Sequence, residues 1–175
     1  MPGPVFLRAE GIELRTIEKE DAEFLAASVN DPAVRNSMSM TDPVSVGSED
    51  EWIETLWEED DVHLLICDDG EPVGNVSLHH LRERHGTAEI GYWVAPDHQG
   101  QGYATSATRL ILDYAFNERG LARVTGRAFA TNEASQRVLE KAGFVEEGVT
   151  RQDVFLRGER VDTVNYGILA EEFEP

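Results

Sequence analysis

Cysteine, lysine and long apolar runs are what this 175-residue chain has least of. Cys67, in "HLLICDDG", is the single cysteine, so no internal disulfide can form, and the residue reads as a small buried hydrophobe rather than a nucleophile. Only Lys19 and Lys141 are lysine among 15 basic residues, set against 34 acidic ones, for a formal net charge of −19. A broad basic surface for nucleic acid is thereby excluded. No apolar stretch approaches the roughly 18–20 residues a membrane-spanning helix needs, so no membrane partner is expected. The opening "MPGPVFLRAEGIELR" lacks a charged segment leading into an apolar one, which points to a cytoplasmic protein. The acids are scattered ("EKEDAEF", "SEDEWIETLWEEDD", "LAEEFEP") rather than gathered in a tail. Scattered acid with so little lysine matches a halophilic habitat, where salt screens self-repulsion; an acidic mesophilic protein is the alternative.

What is present is enough apolar residue, 41 %, for one domain with a real core, and no repeat or linker divides the chain. Alternation predicts a first strand over 11–17, and a helix follows over 19–29 with Phe24, Leu25, Ser28 and Val29 on one face. "NDPAVRNSMSMTDPVSVG" reads as irregular because residues before proline avoid the helical region. Ser48 and Glu51 fit a capping box for a short helix carrying Trp52, Ile53, Leu56 and Trp57. Strands are expected over 62–69, 71–81 and 87–95, with Asp69-Gly70 as a hairpin turn. A helix carrying Ala104, Ala107, Ile111, Tyr114 and Ala115 on one side stops at Gly120. A strand over 122–130, a helix over 132–143 and two strands joined around Arg157-Gly158-Glu159 complete the order. The fold class is α/β (α+β), a mixed sheet flanked by helices.

The segment "APDHQGQGYATSATRLILDYAF" places Gly100 and Gly102 at a helix N-terminus. Unpaired N–H groups and the helix dipole favour an anion there, and glycine lets the main chain approach it closely. It is not a P-loop, which needs Gly-Lys-Ser/Thr, nor a Rossmann fingerprint, because residue 105 is Thr. "QGQGYA" after the strand "EIGYWVAP", together with "LRTIEKEDAEFL" and "NEASQRVLEKAGF", resembles the GNAT family of N-acetyltransferases. The pattern most resembles the ribosomal-protein N-terminal acetyltransferase (RimJ/RimL-like) branch, over residues 11–170.

That resemblance implies a mostly antiparallel sheet of about 6–7 strands with about 4 helices in one domain over 1–175. It implies acetyl-CoA as cosubstrate, held by Gln99, Gly100, Gly102, Tyr103 and Ala104 at the pyrophosphate and by Trp93 and Val94 along the pantetheine arm. Asn132 is expected to touch the same arm as well as cap its helix. Many relatives carry a tyrosine where this chain has Leu139, which leaves Ser135, or no protein group, as the acid for the leaving thiolate. Glu89, sharing a strand face with Gly91 and Trp93, is the first choice of base, acting through a water; Asp153 is the second. His79 and His80 end a strand and read as structural, and Tyr92 and Tyr166 as packing residues. The acceptor is expected to be a protein or peptide N-terminal amine. The alternatives are a small amine such as a polyamine or amino sugar, and a non-catalytic acyl-CoA-binding domain. Met38 and Met40 could line the acceptor pocket. No metal-ligand spacing stands out among the five histidines and the cysteine, so no metal is expected. The chain is taken as a monomer or homodimer.

Overall fold

A computed structural model describes residues 2–9, 11–56 and 60–175. Its strands are β1 (Val5–Ala9), β2 (Ile12–Arg15), β3 (Val62–Asp68), β4 (Glu71–Arg82), β5 (Thr87–Val94), β6 (Arg123–Phe129), β7 (Val145–Leu156) and β8 (Glu159–Leu169). The helices are α1 (Ala22–Asn30), α2 (Pro32–Ser37), α3 (Val46–Thr55), α4 (Tyr103–Asp113) and α5 (Glu133–Lys141). The eight strands form one sheet in the order β1-β2-β3-β4-β5-β6-β8-β7, antiparallel except for β5 beside β6. The mixed α/β architecture is as expected, with one strand more than the sequence suggested. Among the described residues no helix is long and apolar enough to cross a membrane.

Two hairpins follow directly from their turn residues. Asp69 and Gly70 have φ of +48° and +83°, and Arg157 and Gly158 have +50° and +94°. Positive φ at both central residues gives the turn whose twist suits a two-residue hairpin. Alternation then fixes the faces. On one face Leu14, Leu64, Ile66, Val76, Leu78 and Ile90 meet Ala107, Ile111 and Leu112 of α4. On the other, Leu65, Cys67 and Trp93 meet Leu25 and Val29 of α1 and Ile53 of α3. Each fully buried Leu or Ile contributes roughly 1.5–3 kcal/mol.

Three expectations need correction. β1 was not foreseen: it is a short edge strand paired only with β2, and the exposed Phe6 hides its alternation. The stretch from Asn30 to Gly47 is not wholly irregular, since Pro32 opens α2 with Asp31 accepting from the Ala33 N–H. Proline disfavours helix before itself but suits the first helical position. The capping box of α3 is Ser45 with Ser48, not Ser48 with Glu51, so the helix starts earlier. Ile53 and Leu56 are buried as expected, while Trp57 lies outside the described residues.

One irregularity positions everything that follows. β5 and β6 pair only from Thr87–Glu89 to Arg123–Thr125, yet β5 runs on to Val94 and β6 to Phe129. Beyond Glu89 the two strands diverge and the sheet opens into a wedge. α5 seats Leu139 against β6 at Gly126, where a Cβ would stand 2.8 Å from Leu139 Cδ2 and 3.2 Å from Ile90 Cγ2. Gly126→Ala should therefore overpack the apex of the wedge. The expected cost is about 1–3 kcal/mol, read as a lower denaturant midpoint with an unchanged slope.

Candidate active site

The wedge has a main-chain edge. The Ala95 N–H bonds Val73 C=O at 2.9 Å, so odd-numbered residues of β5 turn their N–H and C=O groups toward β4. By alternation Ile90, Tyr92 and Val94 turn theirs toward the opening. The Val94 carbonyl accepts from Gln99 Nε2 at 3.0 Å, which fixes the loop leading to α4. In that loop Gly100 and Gly102 have φ of +77° and +89° with open space where a Cβ would be. Gly102 is the N-cap and offers no side-chain cap; Ser106 is the first residue to bond back to it. The N–H groups of Tyr103, Ala104 and Thr105 are left for a ligand, and no acidic side chain stands in the first turn. The Tyr103 phenol donates to Asp68 at 2.5 Å, so that side chain anchors α4 to the end of β3.

A cavity of about 1050 Å³ runs through the wedge. On the α4–α5 side it is lined by Gly100, Gly102, Ala104, Asn132 and Ser135, with the cationic Arg137 and Lys141 on α5. Asn132 caps α5, its Oδ1 accepting from the Ser135 N–H at 3.1 Å. Ser135 Oγ lies 2.9 Å from Tyr92 Oη, and the Tyr92 hydroxyl is 3.0 Å from the Ser135 carbonyl. A carbonyl can only accept, so the phenol donates to it and the serine hydroxyl donates to the phenol. Tyr92 is thus a polar partner in the site, not only packing as its sequence context suggested. Burial pushes its pKa up to about 12, so it stays a phenol. Tyr166 is fully buried, as expected of a packing residue, and Leu139 lies buried beside it in the core.

On the α1–α3 side the lining changes to Leu25, Val34, Met38, Met40 and Trp52, with Glu49, His63, Ser77, His79 and Glu89. Glu89, Gly91 and Trp93 share this face, and Glu89 Oε2 stands 3.7 Å from His80 Nδ1. Asp153 does not line the cavity; its carboxylate is 2.6 Å from Arg127 Nη2, and Arg127 does. Val94 and Trp93 both line the wedge, Trp93 with its ring in the α1–α3 core.

Three residues here escaped the sequence reading. His79 points into the cavity rather than serving structure alone, and Gly91 makes room for it: a Cβ there would lie 2.5 Å from His79 Nε2. His63 packs edge-on to His79 and to Trp52. Glu49 is only 9 % exposed and has no side-chain partner among the described residues. Burial alone raises its pKa. A strand register between β3 and β4 would have exposed the histidine pair, but no pattern within one segment could.

The family model described as an acetyltransferase (GNAT) domain matches residues 12–145. The chain belongs to the GNAT family. YdaF of Bacillus subtilis, provisionally named a ribosomal N-acetyltransferase, is 35 % identical over 173 residues, 94 % of each chain. The spermidine N(1)-acetyltransferase of Escherichia coli is 25 % identical over 94 % of this chain and 89 % of its own. The crystal structure of a protein named a probable acetyltransferase superposes with a TM-score of 0.84, at 32 % identity and 99 % coverage of both chains. The protein is an acetyl-CoA-dependent N-acetyltransferase of this family.

The α1–α3 side of the cavity yields two expected outcomes. Gly91→Ala should displace the His79 ring and lower acetyl transfer while leaving acetyl-CoA affinity within about twofold by calorimetry. Glu49→Gln should raise Tm by a few degrees at pH 7.5. A carboxyl with a raised native pKa contributes stability that is fully present below its unfolded pKa and is lost as pH rises through the raised native value. The gain should therefore vanish below about pH 3, where the carboxyl is protonated in both states.

Proposed function

We propose that the enzyme acetylates the N-terminal α-amine of a protein or peptide, within a single domain. The observation that carries this reading is the unequal lining of the cavity. Its acceptor half holds just two carboxylates among the described residues, Glu49 and Glu89, beside an apolar wall of Leu25, Val34, Met38, Met40 and Trp52. That suits one ammonium group next to an apolar or small side chain better than a chain of several cations. YdaF, the 35 % relative, carries a name of the same class. The polyamine alternative draws on the spermidine acetyltransferase of E. coli.

In this reading the amides of Gly100 to Thr105 hold the pyrophosphate of acetyl-CoA, and Arg137 and Lys141 add positive charge in a chain that is otherwise acidic. Trp93 and Val94 present the β5 edge to the pantetheine arm as another strand would. Asn132 holds the arm while capping α5. The amine nitrogen attacks the thioester carbon; the C–N bond forms and the C–S bond breaks. The Val94 N–H stabilises the oxyanion, Glu89 takes the amine proton through a water, and Ser135, its hydroxyl turned from Tyr92 to the leaving sulfur, protonates the thiolate and regains a proton from solvent. Asp153, held by Arg127, is a less direct base.

Purified enzyme with acetyl-CoA should acetylate a peptide with a free N-terminus at least about tenfold more efficiently than spermidine, and an N-terminally blocked peptide containing lysine poorly. Preference for spermidine would move the reading to the polyamine alternative. Glu89→Gln should lower kcat by about a hundredfold or more with little change in KM for acetyl-CoA. Gly102→Glu should abolish acetyl-CoA binding in folded protein. Wild-type protein that binds no acetyl-CoA would leave only the non-catalytic reading.

A further inference from the structure

On the face of the sheet that meets the acceptor half of the cavity, two short segments run side by side in register. β3 and β4 pair Val62 with Leu78 and His63 with Ser77, which sets Asp61 opposite His79. Asp61 and His63 are two residues apart and therefore share a face. The register brings the Asp61 carboxylate, the His63 imidazole and the His79 imidazole together, with one donor atom from each lying within 4.8 Å of the others.

The hydrogen bonds around the group set its chemistry. Ser77 Oγ stands 2.7 Å from His79 Nε2 and 3.3 Å from Gly91 C=O, so it holds the ring by its far nitrogen. Nδ1 of the same ring faces Asp61 Oδ2 at 4.0 Å. Asp61 Oδ1 is itself held by the Leu81 N–H at 3.3 Å. The second nitrogen's partner and the held carboxylate are the orienting contacts that metal-binding histidine and carboxylate ligands have.

We propose that Asp61, His63 and His79 form a site for a divalent transition metal of zinc type. Two imidazoles and a carboxylate are a three-ligand set of the kind that leaves a fourth position open. Tetrahedral bonds of about 2.0–2.2 Å place ligand atoms some 3.3 Å apart, so side-chain rotation of about 1 Å closes the set without moving the strands. Burial holds both imidazoles below the ordinary histidine pKa, His63 at about 4, which keeps them neutral ligands at physiological pH. His63 and His79 both line the cavity, and Glu89, which lines it too, is the cross-strand neighbour of His79. A bound ion there takes the ground on which the amine must stand. It therefore inhibits transfer competitively with the amine and not with acetyl-CoA. This last arm rests on the proposed function; the binding itself does not.

The test is titration of the metal-free protein with Co²⁺ and Zn²⁺ alone. One equivalent of Co²⁺ should give the intense visible absorption of a four- or five-coordinate ion, and Zn²⁺ should displace it. His63→Ala and Asp61→Asn should each weaken Zn²⁺ binding by at least about tenfold. Acetyl-CoA binding by each variant serves as the check on folding, and His85→Ala, outside the group, should bind Zn²⁺ as wild type does. Absence of a one-to-one site, or Zn²⁺ affinity unchanged in both His63→Ala and His79→Ala, would overturn the proposal. In the kinetic assay Zn²⁺ should raise KM for the amine and chelator should reverse it. Stoichiometric binding without inhibition would confine the proposal to the site and remove its effect on transfer.

Discussion

The divergence of β5 and β6 beyond Glu89 is the constraint on which the rest of the molecule depends. A continuous sheet would satisfy every main-chain group of both strands and leave no passage. By pairing for only three residues and then parting, these strands leave a main-chain edge at Tyr92 and Val94 facing an opening. Unpaired main-chain groups are costly unless something pairs with them. The protein answers part of that demand itself, with Gln99 on the Val94 carbonyl. The remainder is what a ligand with amide groups can satisfy. The opening also joins the two faces of the sheet, so groups bound on either side can meet through it.

Charge is divided between those two faces in a way the net figure of −19 conceals. The α4–α5 face carries the free N–H groups of α4, without an acidic residue in the first turn, and Arg137 and Lys141. The α1–α3 face carries Glu49 and Glu89 against an apolar wall. A strongly acidic chain repels an anionic cosubstrate at long range, an effect that salt screens within about 10 Å. Short-range donors must then do the holding. Backbone amides serve well here because they add positive potential without adding mobile charge to the surface.

Much of this was legible before any coordinates. Asp69-Gly70 and Arg157-Gly158 announced their hairpins, and the glycine loop announced its helix N-terminus, because in each case local backbone chemistry decides local structure. Alternation correctly put Glu89, Gly91 and Trp93 on one face. What escaped was whatever depends on two segments at once. β1 shows little periodicity of its own and exists as an edge because β2 is there to pair with it. The Tyr92–Ser135 contact spans from strand to helix across the wedge, and neither residue signals the other in sequence. The Asp61, His63 and His79 group needs the register of β3 against β4, and a scan for ligand spacing along one segment passes over it. Glu49 looked like one acid among many on a helix; only burial without a partner distinguishes it.

Site-resolved amide hydrogen exchange, with and without acetyl-CoA, tests the central claim most directly. If the open edge of β5 is completed by the donor, the amides of Tyr92 and Val94 exchange fast in the free enzyme. They should slow by at least about tenfold on binding, together with those of Tyr103 to Thr105. Binding that protects the glycine loop but leaves Tyr92 and Val94 unchanged would contradict the account, because the divergence of β5 and β6 would then have no part in holding the donor.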